Sequence, residues 1–256
     1  MQPEFGVDDK IYASELYDAI NKSDDDLSFY LELCQKHNGK VLELCCGTGR
    51  LTLPICKAGI DITGLDFTPS MLNKARQKSR EQGISCTFIE GDMRSFDLDA
   101  CFDVIFIPFN SLLNTYTFED INSILLCIQK HLKKDGIFAF DIFHPNLEYL
   151  TRDEHFVEKV LDVTLKTGEQ VHISQTMKYD KVHQVNRVKW YFDIDGKKYI
   201  ERLDMRCFFP QEIDAILRYN NFSILHKFGD FDKNPFDEDS KTQVFVCQSR
   251  DTKTRK

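Results

Sequence analysis

Residues Val41–Phe67 read VLELCCGTGRLTLPICKAGIDITGLDF. The stretch opens as an apolar strand, passes through a small-residue turn and a helix, and closes as a second strand ending on Asp66. Gly47 and Gly49 carry no Cβ, so the backbone there can approach a ligand closely and take dihedrals closed to other residues. The helix that follows presents unpaired N–H groups to an anion. A carboxylate at the tip of the next strand can accept both ribose hydroxyl protons, and Asp66 stands 17 residues after Gly49. This is how an α/β sheet holds a nucleotide-like cofactor.

The surrounding composition narrows the class. The chain has 256 residues, 42% apolar and 29% charged, as an ordinary globular protein does. No uncharged apolar run approaches the roughly 18 residues of a membrane span. The N-terminal MQPEFGVDDK is acidic and lacks the apolar core of a signal peptide. The net charge of −8 argues against a nucleic-acid track, which needs clustered Lys and Arg. The basic TKTRK at 252–256 reads as a solvated tail. Nine cysteines are scattered without a C-x-x-C pair, so no metal site is expected. Most of them sit inside apolar runs and read as small buried hydrophobes of a cytoplasmic protein.

Working outward, the first 39 residues read as a helical cap. "YASELYDAI" offers a helical face, and "DDDLSFYLELCQKH" begins with acids and ends at Asn38-Gly39. From Lys40 the chain alternates. Strands are expected at 40–44, 61–66, 86–90, 102–108 and 137–143, and helices at 49–57, 69–82 and 118–133. Such alternation implies a parallel sheet with right-handed crossovers. From about Phe156 to Phe209 the pattern becomes β-branched and aromatic, with Asp195-Gly196 as a hairpin turn. A short helix from Pro210 and a closing β-pair follow. The expected division is a cap at 1–39, a core at 40–150 and 207–250, an antiparallel insertion at 151–206 and a disordered tail at 251–256.

Two cofactors use the glycine turn. A dinucleotide fingerprint needs G-x-G-x-x-G/A, and here Thr52 fills the third position, which loses the close helix packing. The alternative is E/D-x-G-x-G-x-G, and Glu43-Leu-Cys45-Cys-Gly47-Thr-Gly49 resembles it with Cys for the first Gly. That pattern is the first motif of the class I S-adenosylmethionine-dependent methyltransferases. The substitution asks Cys45 to avoid dihedrals that only Gly tolerates. The resemblance runs from Tyr12 to Arg250 and includes three further motifs: Asp66 with Phe67 and Met71, "EGDMRSF" with Asp92 and Met93, and "DVIFIPFNSLLN" with Phe109. It implies an α/β fold: a Rossmann-like, seven-stranded, mostly parallel, doubly wound sheet with an inserted antiparallel β meander. It also implies S-adenosylmethionine as cofactor and S-adenosylhomocysteine as product. Asp66 then takes the ribose, Phe67 and Met71 lie against the adenine, Asp92 accepts from the adenine amine, and the backbone after the fourth strand meets the methionyl part.

Within the family the chain is similar to sugar N,N-dimethyltransferases and glycine N-methyltransferase-like proteins, which share a Tyr-Asp in the N-terminal helix, here Tyr17-Asp18. By that resemblance Tyr17 closes over the cofactor carboxylate. Other readings stand beside these. Asp66 can cap the next helix, Asp92 can form a turn beside Gly91, Tyr17 can be a core aromatic, and Arg50 can be either solvated or a carboxylate partner. Glu43 inside "KVLEL" needs partners to be buried, from the methionyl ammonium or a loop amide.

Substrate is expected at the carboxyl ends of the parallel strands. Candidates there are Asn110, Ser111, Asn114, Asp141 and His144, with Tyr179, Trp190, Tyr191 and Arg206 from the meander. His144 reads as a general base or a hydrogen-bonded loop histidine. With Asn114 it forms the candidate catalytic pair. Arg206 can fork a substrate anion or pair with a neighbouring Asp. The acceptor is read as a small molecule, an amine needing no base, with metal-free in-line transfer. Ile107-Pro108-Phe109-Asn110 lacks the D/N-P-P-Y/F of adenine methylation in nucleic acids. Two rival readings are a non-catalytic or regulatory S-adenosylmethionine-binding protein and an NAD(P)-dependent oxidoreductase. The latter calls for a motif such as Y-x-x-x-K, which the chain lacks. An exposed strand of the insertion can pair across a two-fold to give a homodimer.

Overall fold

The computed structural model describes residues 5–250; the tail expected at 251–256 lies outside them. In chain order the elements are a 3-10 turn at Asp9–Tyr12, helices α1 (Ser14–Ile20) and α2 (Leu27–His37), strand β1 (Val41–Leu44), α3 (Thr52–Lys57), β2 (Ile62–Asp66), α4 (Pro69–Glu81), β3 (Thr87–Glu90) and β4 (Phe102–Ile107). A second 3-10 turn at Ser111–Asn114 leads to α5 (Phe118–His131), β5 (Leu132–Phe143) and α6 (Leu147–Leu150). Then come β6 (Glu158–Thr164), β7 (Gln170–Asp180), β8 (Val185–Ile194), β9 (Lys197–Arg206), α7 (Pro210–Tyr219), β10 (Phe222–Phe228) and β11 (Thr242–Ser249).

These elements divide into two compact units. One holds 24–112, 117–144 and 208–250; the other holds 5–23, 113–116 and 145–207. The sequence drew boundaries at 40, 151 and 207. The helices explain the difference. α2 buries Phe29, Tyr30 and Cys34 with Val41, Val104 and Phe106 of the parallel strands. The 3-10 turn and α1 bury Ile11 and Leu16 with Val171, Ile173 and Phe192 of the meander.

The larger unit carries a seven-stranded sheet in the order β10-β11-β5-β4-β1-β2-β3. β1 pairs in parallel with β2 and β4, β4 with β5, and β2 with β3. β11 runs antiparallel to both β5 and β10. Val104–Ile107 of β4 are completely buried, which is why that strand reads as an unbroken apolar run. The chain order reverses beside β1, between β4 and β2, and such a reversal opens a crevice at the carboxyl ends of the strands. α2 stops at Asn38 in the left-handed region (φ 43), as its Asn-Gly signal predicts. α5 starts at Thr117, whose hydroxyl accepts from the Asp120 N–H at 3.0 Å. It ends two residues before the expected Lys133, because Leu132 turns extended (φ −86, ψ 133) to pair with Phe102.

The smaller unit is a four-stranded antiparallel sheet in the order β6-β7-β8-β9. Asp195 and Gly196, both at positive φ (47 and 82), make the tight β8–β9 turn that Asp-Gly announces. Val7 bridges antiparallel to Leu203, so the N-terminal segment covers the β9 edge.

Gly64 of β2 shows how closely the glycine turn leans on the sheet. A Cβ there would stand 2.8 Å from Cys46 Sγ and 3.0 Å from Thr52 Oγ1. Gly64→Ala is expected to cost about 1–3 kcal/mol by overpacking. Urea unfolding would show it as a lower midpoint at unchanged slope. An unchanged midpoint would mean that Cys46 swings aside freely.

Candidate cofactor site

β1 ends at Leu44, and the next five residues bend sharply. Cys45, Gly47 and Gly49 all take positive φ, at 58, 53 and 78. Cys45 was expected to avoid this region and does not. A side chain there costs roughly 1–2 kcal/mol. The turn is held by its own hydrogen bonds, Cys46 N–H to the Leu65 carbonyl at 3.0 Å and Gly49 N–H to the Cys46 carbonyl at 2.9 Å. The Cys45 thiol lies 3.4 Å from Met93 Sδ and meets the Ser111 hydroxyl, so it binds three strand ends together.

Asp66 grips this turn. Its Oδ2 accepts from the Gly47 N–H and its Oδ1 from the Thr68 N–H, both at 2.8 Å. One carboxylate thus tethers the glycine turn and caps the start of α4. Burial raises its pKa while these bonds lower it. Beside it, Phe67 at the tip of β2 is 61% exposed. A Cβ on Gly47 would meet nothing within 4 Å. The turn therefore leaves open space at its glycine, next to an acid and an uncovered ring, and these residues fit a nucleoside-bearing ligand. Met71 is buried in α4 with Leu72 and Ala75. Asp92 is drawn into a local turn. It accepts from the Arg94 N–H at 2.8 Å and from its guanidinium at 2.6 Å, and Arg94 holds its pKa low.

Glu43 is buried, and its partner is the Thr52 hydroxyl, which donates to Oε2. Neither a loop amide nor a ligand is needed to explain it. Thr52, which breaks the dinucleotide pattern, is itself fully buried to reach this acid. Desolvation pushes the Glu43 carboxyl up to about 8 against the pull of Thr52 and Arg50. Arg50 is a carboxylate partner: its guanidinium forks Asp26 with two contacts of 2.6 Å and lies 4.7 Å from the Phe109 ring centroid.

At the end of β4, Phe109 and Asn110 are also at positive φ (57 and 60). Asp141, expected on the substrate face, points inward. Its carboxylate accepts from the Phe109 N–H (3.0 Å), the Asn110 N–H (3.2 Å) and the Tyr30 hydroxyl (2.7 Å). Burial raises it to about 6. Ser111 donates to the Pro108 carbonyl at 2.8 Å. His144 is a tethered loop histidine: its Nδ1–H donates to the Ser240 carbonyl at 2.8 Å, and its ring meets Phe236 edge-on.

Residues 41–136, which carry this turn and both neighbouring strand ends, match the family model described as a methyltransferase domain. Over that stretch the chain is similar to a methyltransferase domain. YqeM of Bacillus subtilis (strain 168), described as a candidate methyltransferase, is 26% identical over 230 residues, covering 87% of this chain and 89% of that protein. The carboxy-S-adenosyl-L-methionine synthase of Nautilia profundicola is 22% identical, over 89% and 96% of the two chains. Two solved structures share the fold. The CcbJ methyltransferase of Streptomyces caelestis has a TM-score of 0.81 at 19% identity, covering 94% of this chain and 99% of its own. The sugar N-methyltransferase KedS8 of Streptoalloteichus has a TM-score of 0.74 at 16% identity, covering 98% and 96%.

The larger unit holds most of the residues predicted for the cofactor. Tyr17, Asn114, Tyr179, Tyr191 and Arg206 fall in the smaller unit. There Tyr17 is half-buried in α1. Asn114 donates to the Tyr12 hydroxyl at 3.3 Å, and Tyr191 shares a hydrogen bond with Thr176. Tyr179 is half-buried near the end of β7. Arg206 was expected to fork a substrate anion or a neighbouring Asp. It is buried and donates to the His183 carbonyl, which fixes the turn between β7 and β8. A polar cluster escaped the sequence reading: Gln175 donates to Tyr149 and Glu158, both at 2.9 Å, and accepts from the Trp190 indole at 3.0 Å. Its members are scattered over 42 positions, and no local motif marks them.

Glu43 yields a pH test. Its folded pKa lies above that of an unfolded carboxyl, so the stability it contributes is full below about pH 4.5 and fades as pH rises through about 8. Glu43→Gln is expected to remove this dependence, gaining on the native chain by up to about 5 kcal/mol between pH 5 and pH 9. Parallel melting temperatures of the two proteins across that range would refute it.

Proposed function

We propose that this chain moves a methyl group from S-adenosylmethionine to a small-molecule amine and releases S-adenosylhomocysteine. The observation that carries the reading is the glycine turn, held open at Gly47 by Asp66 with Phe67 uncovered beside it. The adenosine would lie over Phe67, with Asp66 and the N–H groups around Gly47 and Gly49 facing its sugar and tail. Met93 and Phe109 line neighbouring strand ends. The bound cofactor supplies an electrophilic methyl carbon on sulfur and a neutral thioether as leaving group.

The chain's own task is then alignment and exclusion of water. An amine nucleophile needs only to arrive unprotonated. His144 donates its Nδ1 proton to the Ser240 carbonyl and keeps Nε2 as an acceptor, a group that an amine substrate would not require. Asn114 carries an amide that can orient a substrate but takes no proton. The neighbours add support. KedS8 is a sugar N-methyltransferase and CalS10 an amino pentose methyltransferase, both of this fold. Asn110 and Ser111 are the proposed acceptor contacts in the larger unit. All nine cysteines are free, as in a reducing cytoplasm. No helix among the described residues is long and apolar enough to cross a membrane.

Calorimetry with S-adenosylmethionine, S-adenosylhomocysteine and NAD tests the reading. The first two are expected to bind and NAD to fail. Asp66→Ala should weaken both at least tenfold, about 1.4 kcal/mol, in a protein shown by its melting curve to be folded. Binding of NAD alone would end the proposal. Methyl-labelled cofactor incubated with a metabolite extract should pass label to an amine; label found only on hydroxyl products would displace the amine.

A further inference from the structure

The turn after β4 places two consecutive non-glycine residues, Phe109 and Asn110, in the left-handed region. Backbone of this kind persists only where its surroundings over-determine it. Here it is fixed from two sides. Asp141 reaches up from β5 and accepts both turn N–H groups, and Tyr30 of α2 donates to the same carboxylate while stacking on Phe106 of β4 with centroids 4.6 Å apart. From the other side Arg50, forked by Asp26, lies over the Phe109 ring. Asn110 is thus flanked by two contacts with the glycine turn, Phe109 to Arg50 and Ser111 to Cys45. Its side-chain carbonyl Oδ1 is buried with no hydrogen-bond partner. A buried acceptor without a donor is costly unless a ligand completes it.

We propose that Asp141, with Tyr30, is a positioning residue that locks this turn so that Asn110 Oδ1 receives an N–H from a ligand amine or ammonium. The inference rests on the reading of the chain as an S-adenosylmethionine-binding methyltransferase. Asp141 touches no reacting atom. It acts through the two backbone amides, and the chemistry it prepares is one hydrogen bond to nitrogen. Two ligands can bring that nitrogen: the amino-acid end of the cofactor and the acceptor amine.

The test measures affinity for S-adenosylhomocysteine and for 5′-methylthioadenosine, the same nucleoside thioether without the amino-acid end. The proteins are the native chain, Asp141→Asn, Tyr30→Phe and Asn110→Ala. If the cofactor brings the nitrogen, Asp141→Asn and Asn110→Ala lose tenfold or more toward S-adenosylhomocysteine and Tyr30→Phe about threefold, with methylthioadenosine unchanged. If the acceptor brings it, both affinities hold and single-turnover transfer of labelled methyl to an extract falls at least tenfold in Asp141→Asn and Asn110→Ala. Equal loss toward both nucleosides would show general distortion and overturn the proposal. So would native affinity together with native transfer. Should Asp141→Asn fail to fold, Tyr30→Phe and Asn110→Ala decide alone. A native chain that binds neither nucleoside brings down the cofactor reading itself, a different result from native binding left intact by the variants.

Discussion

The hydrogen bond from the Gly47 N–H to the Asp66 carboxylate is the constraint on which the candidate site depends. Parallel strands end with their backbone groups unpaired, and a turn that must stay open to a ligand cannot satisfy them by packing. An acid at the next strand tip solves this locally. It takes one N–H from the turn and one from the start of α4, so the turn is stiff without being filled. The same device recurs one strand away, where Asp141 takes two N–H groups from the turn after β4. In both places a carboxylate stands where backbone donors would otherwise face each other. In both places the adjoining turn includes a side-chain-bearing residue at positive φ, Cys45 in one and Phe109-Asn110 in the other.

Burying so many acids has a cost, and the structure distributes it unevenly. Asp66 is offset by backbone donors, and Asp26 by a guanidinium fork. Glu43 has only a hydroxyl, and its proton is held up to about 8, so at neutral pH it sits largely as a neutral acid beside Thr52. Asp141 has three donors, and its carboxyl is raised only to about 6. Of these two acids, the one with more donors is raised less. Tyr30 belongs to the same account: its phenol is fully buried, pinned to Asp141, and its pKa is raised well above the ordinary value.

How much of this was legible depended on sequence distance. The strand-turn-helix of Val41–Phe67 is written in adjacent residues, so the parallel sheet, the glycine turn and Asp66 could all be read directly. The Asp195-Gly196 hairpin was equally local. Arg50 and Asp26 are 24 positions apart, and Tyr30 and Asp141 are 111 apart. Nothing in "DDDLSFY" distinguishes the acid that forks an arginine from those that merely begin a helix. Asp141 was misplaced because a residue type suited to ligand contact is also suited to the interior, and only packing decides which face it takes. Cys45 was misjudged because a positive φ is rare for a side chain, and its tolerance here comes from Met93 and Ser111, far along the chain.

The extent of the family match sharpens this point. It covers 41–136, the continuous run from β1 into β5. The glycine turn, Asp66 and the strained residues after β4 all lie inside it. The groups that brace the strained turn lie outside: Asp26 and Tyr30 before it, Asp141 five positions beyond its end. A pattern of adjacent residues can specify where a turn occurs, but holding two side-chain-bearing residues at positive φ takes donors and acceptors that only the folded sheet brings close. The matched stretch therefore supplies the two turns, and the flanking segments supply the bracing of the one after β4. A chain that kept the motif and lost the flanks would retain every residue of the family pattern and still lack the buried acid on which the turn after β4 is built.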